Sequence, residues 1–253
     1  MKADAEETKS FWKHLAKRYR ARETIHRRVP WKGFTLSALN VVAIAFFVFD
    51  RPLGQAAKSI SPPLVSIAGD VTDIGRIAWI LAALTGITVC VYALRHRLFK
   101  IRPKFRFAYF GRMIAYVFTS VAAATLIANP LKFLIGRARP LLYEQVGVFS
   151  FQPFSLDFLH QSFPSGHSSN IGALFTALAL LFPRYRLLFI GIGLWMGATR
   201  VIIGVHYPSD VAAGLALGGW LAFAVSVLFA RLGYVFSIGR DGWPQPRLAR
   251  VLR

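Results

Sequence analysis

The amino-acid sequence predicts an all-α protein, a bundle of six transmembrane helices with its N- and C-termini in the cytoplasm. The first observation is composition: 55% of the 253 residues are hydrophobic and 17% are charged, whereas soluble domains carry about 25% charged residues. The second is that the apolar residues occur in long blocks. A helix of about 20 apolar residues, rising ~1.5 Å per residue, crosses the ~30 Å hydrocarbon layer of a bilayer.

Six apolar blocks account for the predicted helices. They cover residues 33–49, 77–94, 113–128, 167–182, 187–205 and 211–232. The fourth block is short and begins with polar residues. Proline and charge cluster between the blocks, as in "FKIRPKFR" at 99–106 and "FPRYR" at 182–186, and such clusters indicate breaks between helices.

The third observation is the position of the basic residues. The chain has 31 Lys and Arg against 11 Asp and Glu, a net charge of +20. Segments 1–33, 95–112, 183–186 and 231–253 hold ten, seven, two and five of them, which is 24 of the 31. All four segments fall on one side of a six-helix bundle, as the positive-inside rule requires of a cytoplasmic face. The basic surplus therefore indicates membrane orientation and not a nucleic-acid partner, which the same charge would suggest in a soluble protein.

The charge pattern also divides the chain into three parts. We expect a basic cytoplasmic segment at 1–32, a membrane domain at 33–232 and a basic cytoplasmic tail at 233–253. About thirty mostly polar residues precede the first apolar block, which is not the pattern of a cleavable signal peptide. Apolar residues at helical spacing among lysines in 11–19 are typical of a helix on the membrane surface, although a disordered basic tail fits the same composition.

Three polar clusters are predicted to share the outer face of the bundle. They are "KFLIGRARP" at 132–140, "PSGH" at 164–167 and "TRVIIGVHYPSD" at 199–210. Ionisable residues at membrane depth are costly and indicate a functional site. Lys132, Arg139 and Arg200 would repel one another there unless a multiply charged anion is their partner, because Asp210 is the one carboxylate expected nearby. Arginine and lysine both suit phosphate oxygens, and sulfate would satisfy the same charges.

The "PSGH" cluster lies where the fourth apolar helix begins. Unpaired backbone N–H groups at a helix N-terminus favour an anion, Gly166 permits close approach of the backbone, and Ser165 offers a hydroxyl donor. The four residues alone would equally suit a simple helix cap followed by His167.

The third cluster contains the residues that could react. A carboxylate such as Asp210 near one ring nitrogen of His206 would fix the tautomer and leave the other nitrogen free. That nitrogen can attack phosphorus, and His167 can protonate the leaving oxygen. Taken alone, the same histidine–aspartate pair is also typical of a structural contact in which Asp210 caps the sixth helix.

Together, the three clusters resemble the motifs of the type 2 phosphatidic acid phosphatase (PAP2) superfamily. The family patterns K-x6-R-P, P-S-G-H and S-R-x5-H-x3-D correspond to Lys132 with Arg139-Pro140, to residues 164–167, and to Thr199-Arg200 with His206 and Asp210. The resemblance implies a six-helix membrane bundle with a PAP2-type core and hydrolysis of a phosphoester without a metal or cofactor.

The resemblance also implies roles for individual residues. The expected catalytic residues are His206, His167 and Asp210, and the expected phosphate-binding residues are Lys132, Arg139, Ser165, Gly166 and Arg200. Thr199 stands where the pattern has serine, and its hydroxyl can still donate. Arg137 occupies an open position of the first motif, where it could assist phosphate binding or meet lipid head groups, and we expect the latter.

Two other functions are alternatives to a membrane phosphatase. Soluble relatives of the superfamily bind vanadate and oxidise halides, but six apolar blocks disfavour a soluble protein. A transporter or lipid-binding membrane protein would use the cations, yet would need neither the two histidines nor Asp210. Glycines spaced as in Gly193-x-x-x-Gly197 and Gly214-x-x-x-Gly218 are close-contact positions that suit either membrane reading.

The loops on the outer face predict the class of substrate. Residues 141–159 are too apolar for a solvated loop, and 54–69 are similar, so both are expected at the membrane interface unless they simply cover one another. The apolar loops favour a membrane lipid phosphate as the substrate. The predicted orientation places the site at the periplasmic face, and the basic cytoplasmic segments with an uncleaved first helix suit a bacterial inner membrane. Lipid A or undecaprenyl diphosphate is the preferred substrate, and phosphatidylglycerol phosphate or phosphatidate also fits.

Overall fold

A computed structural model of the chain describes residues 12–22, 29–56, 60–74, 77–98 and 103–247. In the predicted segments 1–32 and 233–253, residues 1–11, 23–28 and 248–253 lie outside the described residues. The helices are α1 (residues 12–20), α2 (Trp31–Ala56, with a π-helical stretch at Ala45–Phe49), α3 (Pro62–Ile74), α4 (Ile77–Leu98), α5 (Pro103–Ile135), α6 (Gly166–Leu181), α7 (Arg186–Ile202) and α8 (Pro208–Arg231). Short helical turns occur at Pro140–Leu142, Tyr143–Val146, Phe158–His160 and Pro183–Tyr185, and β1 (Phe236–Ile238) pairs antiparallel with β2 (Pro244–Pro246).

Each of the six apolar blocks corresponds to one helix: α2, α4, α5, α6, α7 or α8. The last three blocks extend one to three residues beyond the ends of α6, α7 and α8. Within the described residues, four helices are long and apolar enough to cross a membrane: Trp31–Ala56, Ala108–Ile135, Pro183–Ile202 and Pro208–Arg231. The apolar part of α4, Ala78–Ala93, is shorter, and α6 has 16 residues. The structure thus confirms the helical class of all six blocks and the spanning length of four.

The loop expected at 54–69 contains more helix than the sequence suggested. Helix α2 continues through the first of these residues, and α3 begins at Pro62. Two prolines, Pro62 and Pro63, occupy the start of α3, where a missing backbone N–H costs no helical hydrogen bond. Helix α3 packs against α7 and becomes part of the site described below.

The core of the bundle is the contact of α6 with α8, against which α5 also packs. Tyr116 of α5 is fully buried and donates its hydroxyl to the carbonyl of Ala222, 3.0 Å away. Its ring meets Phe229 and Phe236 edge-to-face at 5.6 and 4.8 Å between centroids. By contrast, α7 directs large apolar side chains outward, with Leu187 80% exposed, as expected of a helix that meets lipid.

Glycines allow α6 and α8 to approach closely. A Cβ atom at Gly214 would lie 2.5 Å from the carbonyl oxygen of Ser165, and one at Gly172 would lie 2.5 Å from that of Leu215. A Cβ atom at Gly218 would meet the carbonyl oxygen of Ser169 closer still. The spacing Gly214-x-x-x-Gly218 is therefore a helix-contact motif, as predicted.

Described residues from the N-terminal segment and from the tail meet at the end of the bundle where α8 finishes. Val235 and Phe236 are buried, so the described part of the predicted tail, up to residue 247, is packed against the helices. Arg22 donates from Nη1 to the carbonyl of Arg231 at 3.1 Å, and the Arg231 guanidinium lies 3.5 Å from the ring centroid of Tyr19. The start of α8, with Asp210, is at the opposite end.

We expect Gly218→Val to destabilise the bundle, because the added side chain would force α6 and α8 apart. Overpacking of this kind costs about 1–3 kcal/mol. Thermal unfolding of the purified protein in detergent measures the loss. Gly111→Val is the matched control, since nothing lies within 4 Å of a Cβ at that position. Equal unfolding temperatures for the two variants would contradict the close-contact role.

Candidate active site

The three predicted clusters meet at the end of the bundle where α5 and α7 finish and α6 and α8 begin. The backbone N–H of Ser165 donates to the carbonyl of Asp210 at 3.0 Å, which joins the starts of α6 and α8. A Cβ at Gly166 would lie 3.3 Å from Nζ of Lys132, so the ammonium group at the end of α5 adjoins the first turn of α6. Residues far apart in the chain thus form one polar site.

The first turn of α6 is organised by Ser165. Its buried hydroxyl accepts from the backbone N–H of Ser168 at 3.3 Å and from the Ser168 hydroxyl at 3.0 Å. Ser165 is therefore the N-cap that the sequence suggested. The Gly166 backbone stays accessible beside Lys132 because glycine lacks a side chain there, and a cation next to a helix N-terminus is suited to an anion between them.

Arg139 is fixed by backbone carbonyl groups. It donates from Nε to Phe158 at 2.9 Å, from Nη1 to Val205 at 3.1 Å and from Nη2 to Gln161 at 3.3 Å. The guanidinium also lies 3.8 Å from the Phe158 ring centroid. Burial, helped by the nearby charge of Arg200, lowers the pKa of Arg139 to about 10, so the side chain remains a cation at neutral pH.

Arg200 and His167 are linked by a residue that the sequence analysis missed. Arg200 donates from Nη1 to the hydroxyl of Thr72 in α3 at 3.3 Å, and Nε2 of His167 lies 3.2 Å from the same hydroxyl oxygen. Thr72 belongs to none of the three motifs, so no local pattern marked it. Thr199, by contrast, is fully buried and donates to the carbonyl of Met196 in its own helix at 2.7 Å.

His206 and Asp210 are close, and a serine bridges them. Nδ1 of His206 lies 3.7 Å from Oδ2 of Asp210. The hydroxyl of Ser162 donates to the same carboxylate oxygen at 2.6 Å and lies 3.3 Å from Nδ1 of His206. Asp210 also accepts from the backbone N–H of Tyr207 at 2.9 Å, so it caps α8 as well as orienting His206. Ser162 lies just before the second motif and carries no signal of its own in the sequence.

The protonation state of His206 follows from its surroundings. The residue is 3% exposed, and burial lowers the pKa of its imidazole to about 4, with Arg139 and Lys132 acting in the same direction and Asp210 opposing them. The imidazole is therefore neutral at physiological pH. Because Nδ1 faces Ser162 and Asp210, Nε2 is left with its lone pair, which is the form that a nucleophile requires.

The expectation that Arg137 meets lipid head groups is wrong. Its side chain is fully buried and forms two ion pairs, from Nη2 to Oδ2 of Asp50 and from Nη1 to Oδ1 of Asp210, each 2.7 Å long. The physical reason is that α2 places a second carboxylate at this end of the bundle. Asp210 was expected to be the one carboxylate near the cations, and Asp50 is a second.

Asp50 joins α2 to the start of α8. Its carboxylate accepts from the backbone N–H of Ser209 at 2.9 Å and from the Ser209 hydroxyl at 2.5 Å. Asp50 was missed because it directly follows the first apolar block, where an acidic residue reads as a boundary. A continuous chain of contacts therefore runs from Asp50 through Arg137 and Asp210 to His206.

A tight turn at Gly136 follows α5 and precedes both arginines of the first cluster. Gly136 has φ +63°, and a Cβ there would collide with the carbonyl group of Gln152. The following residues are extended: Arg137 pairs with Phe151, and Ala138 donates to the carbonyl of Ser150 at 3.0 Å. Glycine at 136 thus lets the backbone enter this pairing and present Arg137 to the carboxylates.

The described residues provide the groups needed to hold and attack a phosphate. Lys132, Arg139 and Arg200 supply positive charge beside the N-terminus of α6, and His206 supplies a neutral imidazole. No three His, Cys, Asp or Glu side chains among the residues that the structure describes are grouped to hold a metal ion.

We expect Arg137→Met to lower the free energy of unfolding by about 3–5 kcal/mol, because it leaves two buried carboxylates without their counter-charge. Denaturation of the purified protein in detergent measures this loss. Arg51→Met, at an exposed position next to Asp50, is the matched control. Adding Asp50→Asn to Arg137→Met should restore part of the stability; no restoration would show that the buried charge is not the cause.

Comparisons with known proteins confirm the resemblance. A family model described as PAP2 superfamily matches residues 113–234. The lipid A 1-phosphatase of Rhizobium etli is 42% identical over 219 residues, covering 85% of this chain and 91% of that protein. The lipid A 1-phosphatase of Rhizobium johnstonii is 40% identical over 238 residues, covering 93% and 96%.

One solved structure shares the fold. It is a transmembrane PAP2-type phosphatidylglycerolphosphate phosphatase from Bacillus subtilis, which aligns with a TM-score of 0.53 and 24% identity over 77% of this chain and 93% of that one. With motifs, site and relatives in agreement, the chain belongs to the PAP2 superfamily, as a membrane-embedded phosphoric ester hydrolase.

Proposed function

We propose that this protein is a lipid phosphatase that removes the 1-phosphate of lipid A at the periplasmic face of a bacterial inner membrane. The observation that carries the chemistry is the buried, neutral imidazole of His206, oriented by Ser162 and Asp210 beside three cations. The two Rhizobium relatives named lipid A 1-phosphatase, similar over most of the chain, support the substrate. Undecaprenyl diphosphate, phosphatidylglycerol phosphate and phosphatidate are the alternatives to test.

The reaction proceeds in two displacements. Nε2 of His206 attacks phosphorus, the bond from phosphorus to the ester oxygen breaks, and His167 gives its proton to that oxygen as the dephosphorylated lipid leaves. His167 then takes a proton from water, whose oxygen attacks the phosphohistidine. The bond from phosphorus to Nε2 breaks, inorganic phosphate leaves, and His206 returns to its neutral state.

The cations stabilise the charge that spreads over the phosphoryl oxygens in each transition state. Arg139 is held by three carbonyl groups, so it needs little reorganisation when phosphate binds. Lys132 and Arg200 complete the cationic side of the site, with Ser165 and the Gly166 backbone at the start of α6. A protein that only bound or carried a phospholipid would have no use for an oriented nucleophile such as His206.

The arrangement in the membrane follows from charge. Helix α2 and helices α4 to α8 form six spans, the basic segment 1–32 and the tail 233–253 face the cytoplasm, and residues 33–232 form the phosphatase domain between them. Support comes from the basic residues, 24 of which lie in segments 1–33, 95–112, 183–186 and 231–253, which the positive-inside rule assigns to the cytoplasmic side. The site at the other end then opens to the periplasmic leaflet.

The loop after α5 is suited to the membrane interface. Its apolar side chains remain exposed in the folded protein; they include Leu141, Val146, Phe149, Phe151, Phe154, Leu156 and Phe158. The end of α2 covers one part of it, since a Cβ at Gly54 would lie 3.0 Å from the Tyr143 ring, but that contact leaves these side chains uncovered. Exposed apolar groups next to a phosphate site favour a substrate that arrives from the lipid phase.

Phosphate release from purified protein in detergent, with a chelator present, tests the function. We expect release from lipid A bearing a 1-phosphate and a loss of at least about a thousandfold in kcat for His206→Gln, the scale seen when a catalytic nucleophile or its base is removed. Acid-labile phosphate bound to protein should appear in wild type and not in His206→Gln.

The matched control is His160→Gln. His160 lies near the site but pairs with exposed Asp157 at 3.0 Å, so its loss should leave kcat unchanged. Wild-type turnover by His206→Gln would contradict the mechanism, as would strict dependence on an added divalent metal. Release from another lipid of the panel, and none from lipid A, would refute the substrate.

We expect Leu156→Asp to weaken use of a lipid substrate in vesicles, because this side chain, 85% exposed, would no longer enter the interface. An aspartate there loses the apolar burial of a leucine, about 1.5–3 kcal/mol, so KM for lipid should rise roughly tenfold or more, with kcat for a water-soluble aryl phosphate unchanged. Leu156→Trp is the control, since tryptophan is favoured at interfaces. The same KM for both variants would contradict the interfacial role.

A further inference from the structure

Thr72 of α3 is buried in the site although it lies outside every motif. It is 2% exposed, and Ala68, one turn earlier on the same face, is 3% exposed. This face turns inward where α3 packs against α7, while Ile67 on another face is 60% exposed. Helix α3 therefore brings one hydroxyl group into the site from a segment outside the three motifs.

The hydroxyl of Thr72 is directed at side chains of other helices. In membrane helices a threonine often returns its hydroxyl to the carbonyl four residues earlier, as Thr88 does to Leu84 at 2.7 Å. Thr72 instead contacts side chains of two other helices, Nη1 of Arg200 at 3.3 Å and Nε2 of His167 at 3.2 Å. Its oxygen is thus placed for the site and not for its own helix.

The donor and acceptor capacities decide how these contacts are made. A hydroxyl has one proton and two lone pairs, and a guanidinium can only donate, so Arg200 takes one lone pair of Thr72. As a general acid, His167 is an imidazolium with a proton on each ring nitrogen. Its Nε2–H can donate to the second lone pair of Thr72, and its Nδ1–H is then the proton that is transferred to the leaving oxygen. The hydroxyl proton of Thr72 is then available to a substrate oxygen.

We propose that Thr72 is a positioning residue of the phosphatase reaction. Its hydroxyl contacts Nε2 of His167 and the guanidinium of Arg200 and so orients both side chains toward the phosphate ester. This inference rests on the proposed function, because it assigns His167 to protonation of the leaving group. Threonine and valine have nearly the same shape, so Thr72→Val removes the hydroxyl with little change in packing.

A pair of esters that differ in their leaving group isolates this role. 4-Nitrophenyl phosphate has a good leaving group that scarcely needs protonation, whereas phenyl phosphate has a poor one. For Thr72→Val we expect kcat on phenyl phosphate to fall about 10- to 100-fold, the scale of a hydrogen bond to a charged group, with KM unchanged. The fall on 4-nitrophenyl phosphate should be much smaller, and His167→Gln should show the same contrast in larger form.

Two further variants separate positioning from packing. Thr72→Ser keeps the oxygen and should retain most of the wild-type kcat on phenyl phosphate. Thr88→Val removes a hydroxyl that serves only its own helix and should change neither ester. Equal losses on both esters for Thr72→Val, a Thr72→Ser variant as slow as Thr72→Val, or an unchanged kcat for Thr72→Val would each overturn the inference.

The outcome is distinguishable from failure of the proposed function. A wild-type protein that cleaves both aryl esters but not lipid A would refute the substrate, while the ester contrast would still decide the role of Thr72. Turnover by His206→Gln would refute the nucleophile, again independently of that contrast. A wild-type protein that cleaves neither the two aryl phosphates nor any lipid phosphate would overturn both proposals.

Discussion

A buried guanidinium has to be neutralised, and in this protein Arg137 is neutralised by two carboxylates from opposite ends of the chain. Asp50 comes from the first long helix and Asp210 from the last, and each lies 2.7 Å from the arginine. Removing the arginine would leave two carboxylates without a counter-charge in a low-dielectric interior, which is among the largest single costs in a folded protein. The start of α8, and with it His206, is therefore held at a fixed position relative to α2 and α5.

Two arginines that lie close in sequence have different kinds of partner in the site. Arg137 and Arg139 are two residues apart, yet one is paired with carboxylates and the other is held by backbone carbonyls. Carbonyl groups fix the direction of a guanidinium without cancelling its charge, so Arg139 keeps an uncompensated charge for an anionic ligand. If both arginines were paired with carboxylates, the attraction for phosphate would be lost; if neither were, the empty site would be strongly self-repelling.

The helix contacts explain how such a site is kept precise in a membrane, where apolar surroundings give little preference for one helix arrangement over another. Glycines on α8 bring it against α6 until backbone atoms touch, and the N–H of Ser165 then reaches the carbonyl of Asp210 at 3.0 Å. The start of α6, which we propose binds phosphate, and the segment that carries the proposed nucleophile His206 are thus joined by main-chain atoms, which have less freedom than side chains.

The sequence by itself determined the apolar helices, the basic face and the three motifs, because hydropathy, charge and motif spacing are properties of short segments. It identified the two histidines, Asp210 and three cations as candidate site residues, and the structure brings these residues to one end of the bundle. Only the tertiary structure decided the partners: Asp50 for Arg137, Ser162 between His206 and Asp210, and Thr72 between His167 and Arg200. A buried charge or hydroxyl is satisfied by whatever lies beside it in space, and here those neighbours come from other helices, which no pattern along the chain records.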